Sequence, residues 1–89
     1  MLLYRNRRMR MWYRISTEKS LGEALALARK QARLSQEELA QRIQVDRTTV
    51  VRLESGRLKT LTRLTSAFAM LGYDLVAVPR GSKLTVEER

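Results

Sequence analysis

The chain has 89 residues, with 18 Lys and Arg against 9 Asp and Glu, a formal net charge of +9, and neither Cys nor His. A chain this short makes one small domain with a modest core, and the missing Cys and His exclude disulfides and any Cys/His zinc site, so oligomerisation is the remaining way to add buried surface. The charge favours a polyanionic partner, and no apolar run approaches the roughly 18 residues of a membrane span or forms a signal peptide's apolar centre, so the chain reads as cytoplasmic with no membrane partner.

Residues 1–19 are a basic arm, in which Arg5, Arg7, Arg8, Arg10 and Arg14 stand beside Tyr4, Trp12 and Tyr13. From Arg8 to Ile15 basic and apolar residues nearly alternate, which predicts a half-exposed strand, with a solvated tail as the alternative. Ser20-Leu21-Gly22-Glu23 has capping-box spacing and opens a Leu/Ala-rich helix to about Arg33, with Leu21, Leu25, Ala28 and Ala32 on its buried face. Ser35-Gln36-Glu37-Glu38 repeats the box before a short second helix over 36–42. Asp46 caps a third helix at about 47–54, which Ser55-Gly56 ends. Leu61, Leu64, Phe68 and Leu71 mark a fourth helix at about 61–71, stopped by Gly72. Residues 73–79, YDLVAVP, are β-rich and read as one isolated strand, which is not stable alone; residues 80–89 are a C-terminal tail. The expected fold is therefore all-α, with four to five helices over 20–72 and one short C-terminal β-strand that pairs across a homodimer.

Only Ile43-Gln44-Val45-Asp46 joins the second and third helices, a turn short enough to make them cross steeply. On the third helix Val50 and Leu53 point inward, and Arg47, Thr48, Val51 and Arg52 make one outward stripe at i, i+1, i+4, i+5 spacing. Such a stripe suits the DNA major groove: arginine pairs with a guanine edge through two hydrogen bonds, threonine donates or accepts, and valine lies on a thymine methyl. Thr49 is counted in the same DNA-contacting set, and Arg57 and Lys59 beyond the helix supply cations for phosphates. No pair of carboxylates or lysines sits at a spacing that implies a shared catalytic site, so the chain reads as a non-enzyme without a cofactor.

LARKQARLSQEELAQRIQVDRTTVVRLESGRLKTLTRLTSAF resembles the helix-turn-helix domain shared by lambdoid phage repressors and the bacterial regulators of the Xre or Cro/C1 family, over about residues 20–72. The resemblance implies a lambda-repressor-like fold in which Gln36 opens the first motif helix and contacts a phosphate, and Ala40 is the small residue at the helix crossing. It further implies that Val50 and Leu53 seal the core, that Arg29 pairs with Glu54, and that Arg47, Thr48 and Arg52 read bases. Two positions depart from the family pattern: Gln44 replaces the glycine of the motif turn, and Arg33 replaces the glycine after the first helix.

A second resemblance follows in TLTRLTSAFAMLGYDLVAVPR, which looks like the end of HipB-like antitoxins, where the last helix runs into a short strand that pairs with its copy in a second subunit. It implies a homodimer formed through Tyr73, Leu75, Val76, Ala77 and Val78, an inverted-repeat DNA operator, and a HipA-like toxin as a further partner. The alternative is a stand-alone regulator or phage repressor without a toxin.

Overall fold

Three of the four helices begin at a short polar side chain that accepts a backbone N–H of the first turn, and these caps decide where the domain's elements start. The structure, a computed structural model, describes residues 2–5 and 12–87. Their order is β1 (Leu2–Arg5), β2 (Tyr13–Ile15), α1 (Glu18–Gln31), α2 (Gln36–Arg42), α3 (Arg47–Ser55), α4 (Lys59–Met70), β3 (Leu75–Ala77) and β4 (Lys83–Val86).

The α1 cap is Thr17, whose hydroxyl accepts from the Ser20 amide at 3.1 Å, and Ser20 Oγ accepts in return from the Thr17 amide at 2.9 Å. The helix thus starts a turn before the Ser20 start expected from sequence, and Ser20 is the reciprocal partner in the box. Serine does here what Glu or Gln usually does, so the sequence signal pointed one turn too late. The inward face also differs from the expected one, because α1 meets α3 at Gly22. Gly22 and Ala24 are buried, Leu21 and Leu25 half-buried, and Ala28 and Ala32 exposed. The other two boundaries fall where expected: Ser35 and Glu38 form a reciprocal box at α2, and Asp46 Oδ1 accepts from the Thr49 amide at 2.8 Å to start α3.

The helix ends share one hydrogen-bond pattern. After α1 the Leu34 amide donates to the Arg29 carbonyl, after α2 Val45 donates to Ala40, after α3 Arg57 donates to Arg52, and after α4 Tyr73 donates to Phe68. This six-residue closure needs a left-handed residue just past the helix. Gly56 and Gly72 supply it after α3 and α4, whereas Arg33, at φ 59°, and Gln44, at φ 61°, adopt it without being glycine. The turn of the helix pair α2–α3 therefore keeps its geometry at Gln44 and bears the strain of a Cβ there.

α3 lies at the centre and packs against both α1 and α2. Among the described residues the buried apolar ones are few: Ile15, Ala24, Ala40 and Val50. Ala40 and Val50 are wholly inaccessible, which lets the α2 and α3 backbones approach closely. At Gly22 the backbones of α1 and α3 come close: an added Cβ would run into the Glu54 carbonyl oxygen and lie 2.7 Å from that of Leu53. On α4 the buried line runs through Thr65, whose hydroxyl donates to the Leu61 and Thr62 carbonyls, while Leu64, Met70 and Leu71 stay exposed. The expected inward line of Leu61, Leu64, Phe68 and Leu71 holds only in part: Leu61 and Phe68 are half-buried, and Thr65 takes the central position.

The largest correction concerns the strands. β3 is not isolated: it pairs antiparallel with β2 of the same chain, Tyr13 opposite Ala77, Arg14 opposite Val76 and Ile15 opposite Leu75. Pairing across a homodimer is therefore not what satisfies this edge. The alternating arm supplies the partner, and Ile15 enters the core beneath the pair. The strand is also shorter than 73–79, leaving Tyr73 in the exposed turn and Val78 just past the strand. The expected tail holds a fourth strand, β4, which pairs antiparallel with β1, from Leu2 opposite Val86 to Arg5 opposite Lys83. The Arg8–Met11 part of the predicted arm strand lies outside the described residues. No described helix is long and apolar enough to cross a membrane.

Candidate nucleic-acid interface

Asp46 fixes the first turn of α3, Gly56 ends it, and Val50 anchors its inner face, so the opposite face is presented as a unit. Arg47, Thr48, Val51 and Arg52 are all exposed on it. Thr49 sits differently. It is half-buried, and its hydroxyl donates to Asp46 Oδ1 at 2.8 Å, so its proton serves the helix cap. Arg57 and Lys59 are exposed on either side of Leu58, the residue that precedes α4, whose first turn has neither a side-chain cap nor an acidic residue. Unpaired N–H groups beside two cations make that turn attractive to an anion.

A hydrogen-bonded chain connects this face to the rest of the domain. Arg29, in the last turn of α1, donates from Nε to Glu54 Oε2 at 2.6 Å and from Nη2 to Glu54 Oε1 at 3.0 Å. Its third donor, Nη1, reaches the Leu34 carbonyl at 2.8 Å. Gln36 Nε2 also donates to Glu54 Oε1, at 3.2 Å, and Gln36 Oε1 accepts from Arg47 Nη2 at 3.4 Å. The family resemblance implies that Gln36 contacts a phosphate. In the free protein its amide joins Glu54 to the first arginine of the reading stripe. Arg29, Ser35, Gln36, Glu37 and Arg47 line an open cleft of about 430 Å³ at this corner.

The electrostatics follow from these contacts. Glu54 is held below the usual carboxylate range by its hydrogen bonds from Arg29, with Gln36 assisting, against the opposing effect of burial. Arg29 is raised by the same pair. Glu38 and Asp46 are lowered by the backbone amides they cap, those of Ser35 and Thr49. Each of these acids is charged in the folded state at neutral pH, and each fixes the start or the end of a helix that carries the interface.

The structure thus brings Gln36, Arg47, Thr48, Val51 and Arg52 to one face, with Arg57 and Lys59 at its margin, and puts Thr49 beneath it. Sequence reasoning missed Gly22, whose lack of a side chain sets the α1–α3 spacing. A glycine followed by an Ala/Leu helix was its only signal. A family model described as helix-turn-helix matches residues 25–77, more than half of the chain, and the chain belongs to that family, of the Xre/Cro type. It is a sequence-specific DNA-binding regulator by that membership. No curated protein and no solved structure matches the chain.

Proposed function

We propose that the protein is a repressor that binds an inverted-repeat operator as a homodimer, with Arg47, Thr48, Val51 and Arg52 reading bases and Gln36, Arg57 and Lys59 contacting phosphates. The observation that carries this reading is the exposed stripe on α3, held in register by the Arg29–Glu54 pair at its far end. Arginine at both ends of the stripe suits guanine edges, and Val51 between them suits a thymine methyl. Thr49 contributes by holding Asp46.

A second copy is supported by what one chain leaves uncovered. Leu64, Met70, Leu71 and Tyr73 are all exposed, Met70 at 89%, while few of the described apolar residues are buried. β3 has one edge paired with β2, and its other edge adjoins no strand among the described residues. Docking of a copy over Leu71 and Tyr73, along that second edge through Leu75, Val76, Ala77 and Val78, would cover both features and place two reading helices on successive major grooves, about 34–36 Å apart.

The finer reading is the antitoxin of a HipA-like toxin, repressing its own operon; it rests on the sequence resemblance of the segment after α4. The stand-alone regulator is its alternative. Selection of bound sequences from a random duplex pool tests the repressor reading: an enriched inverted repeat is expected, and no enrichment would overturn it. Purification from the native operon followed by mass spectrometry separates the finer readings, since the antitoxin must bring its toxin with it.

A further inference from the structure

The Glu54 carboxylate meets more than the cation of its ion pair. Oε2 accepts from Arg29 Nε at 2.6 Å, and Oε1 accepts both from Arg29 Nη2 at 3.0 Å and from Gln36 Nε2 at 3.2 Å. Arg29 is itself tied to the backbone of the α1–α2 turn, through Nη1 to the Leu34 carbonyl at 2.8 Å. The acid is thus held by a cation that is fixed in its turn, and its side chain is only 8% exposed.

A charged carboxylate accepts hydrogen bonds and donates none. That fixes which way the Gln36 amide points: its nitrogen faces Glu54 and its oxygen faces away, since the flipped amide would set oxygen against oxygen. The oxygen meets Arg47, and Gln36 Oε1 accepts from Arg47 Nη2 at 3.4 Å. Arg47 opens α3 and Glu54 lies near its other end, about two helical turns on and so on the same side of the helix. One side chain of α2 bridges that gap, and both Gln36 and Arg47 line the open cleft at this corner.

We infer that Glu54 is a positioning residue for base recognition, a role that rests on the assignment of Arg47 to a base: through the Gln36 amide it aims the Arg47 guanidinium at the groove and sets discrimination at that base. A free arginine serves a phosphate as readily as a guanine edge, so its aim decides whether it reads sequence. The guanidinium has donors to spare. With one N–H on Gln36, the others still offer the parallel pair that a guanine edge accepts. The other N–H of Gln36 Nε2 is left for a phosphate, so Gln36 positions Arg47 and contacts the backbone at once. In water the exposed bond to Arg47 is weak, and a duplex that displaces water from the cleft strengthens it. A side chain restricted before binding has less freedom to lose on the duplex. Arg52, on the same helix, stands outside this chain of bonds, and the base it reads is the internal control.

The test uses the full-length protein, the inverted repeat selected from a random duplex pool, and copies of it changed at single base pairs. The alanine variants of Arg47 and Arg52 identify the pair that each reads. In Glu54→Gln, measured well below its melting temperature, the preference at the Arg47 base should fall roughly three- to tenfold, and the preference at the Arg52 base should stay at the wild-type value. Gln36→Leu leaves the Arg29–Glu54 pair in place and should give the same loss at the Arg47 base, together with a uniform loss from its phosphate. Both changes combined should lose no more preference there than Gln36→Leu alone. Should Glu54→Gln not fold, Glu54→Asp, which keeps a charge for Arg29 but draws it back from Gln36, takes its place with the same expectation. Equal losses at the two bases, the sign of a displaced α3, overturn the inference, as does an unchanged preference at the Arg47 base in either variant. If no sequence is enriched, or if Arg47→Ala changes no base preference, the assignment of Arg47 to a base falls first and takes the positioning role with it.

Discussion

Arg29 and Glu54 join the last turn of α1 to the end of the reading helix by two hydrogen bonds, 2.6 and 3.0 Å long, with side chains only 10% and 8% exposed. A planar guanidinium facing a carboxylate in this way fixes orientation as well as distance. Breaking such a pair leaves an ion without its partner in a poorly hydrated site. Glu54→Ala should therefore lower the melting temperature several times more than Glu38→Ala, whose carboxylate caps an exposed helix start. Equal losses in thermal unfolding would show that the pair is not structural.

Acid should weaken the fold through the same residue. Glu54, Glu38 and Asp46 all titrate below their ordinary values of 4.5, 4.5 and 3.8. A carboxyl lowered by folding stabilises the protein fully above its unfolded value and loses that contribution as pH falls through its folded value. Urea midpoints should be level at around neutral pH and decline below about pH 4.5. Glu54→Gln should be less stable at neutrality and show a shallower decline. A wild-type midpoint that is flat down to about pH 3 would contradict the assignment.

Gly22→Ala has an unusual expected sign. In an exposed helix interior the change would stabilise by about 1 kcal/mol. Here the new methyl would lie 2.7 Å from the Leu53 carbonyl oxygen, a backbone atom that moves only if α3 moves. A loss of roughly 1–3 kcal/mol is expected in denaturant unfolding, with weaker operator binding because the displaced element is the reading helix. A more stable variant would mean that the two helices are not in such close contact.

Gln44→Gly and Arg33→Gly should each stabilise. Both residues are left-handed, at φ 61° and 59°, a conformation that costs a residue with a Cβ about 1 kcal/mol or more. Glycine removes that cost and adds a smaller entropic one in the unfolded chain. The net gain should be a few tenths to about 1 kcal/mol in urea unfolding, with DNA binding unchanged. Destabilisation by either change would show that the side chain makes a contact worth more than the strain.

These residues also show which parts of the fold were readable beforehand. The α2 and α3 boundaries were legible because Ser35 and Asp46 are ordinary caps, and the left-handed turn was legible as a position where Gln44 stands in for glycine. The Arg29–Glu54 pair came from the family resemblance, and the structure bears it out. The α1 start was misplaced because Ser20 can serve either as a cap or as a cap's reciprocal partner, and spacing alone does not distinguish them. From sequence β3 reads as needing a second subunit, because the partner that covers one of its edges, Tyr13–Ile15, is more than fifty residues earlier in the chain. Pairing at that separation is a property of the folded chain that local periodicity does not carry. Gly22 escaped notice for the same reason, since what it allows is the approach of Leu53.

Sequence recognition depends most on the outward face of α3, and Arg52→Ala tests that face most directly. Affinity should be measured for the selected operator and for a mixed-sequence duplex at one salt concentration. Removing a base-reading side chain should cost roughly 1–3 kcal/mol on the operator and far less on the mixed sequence, so that the ratio between them falls. Equal losses on both duplexes would mean that Arg52 touches only phosphate, and that this face of α3 is not what reads the sequence.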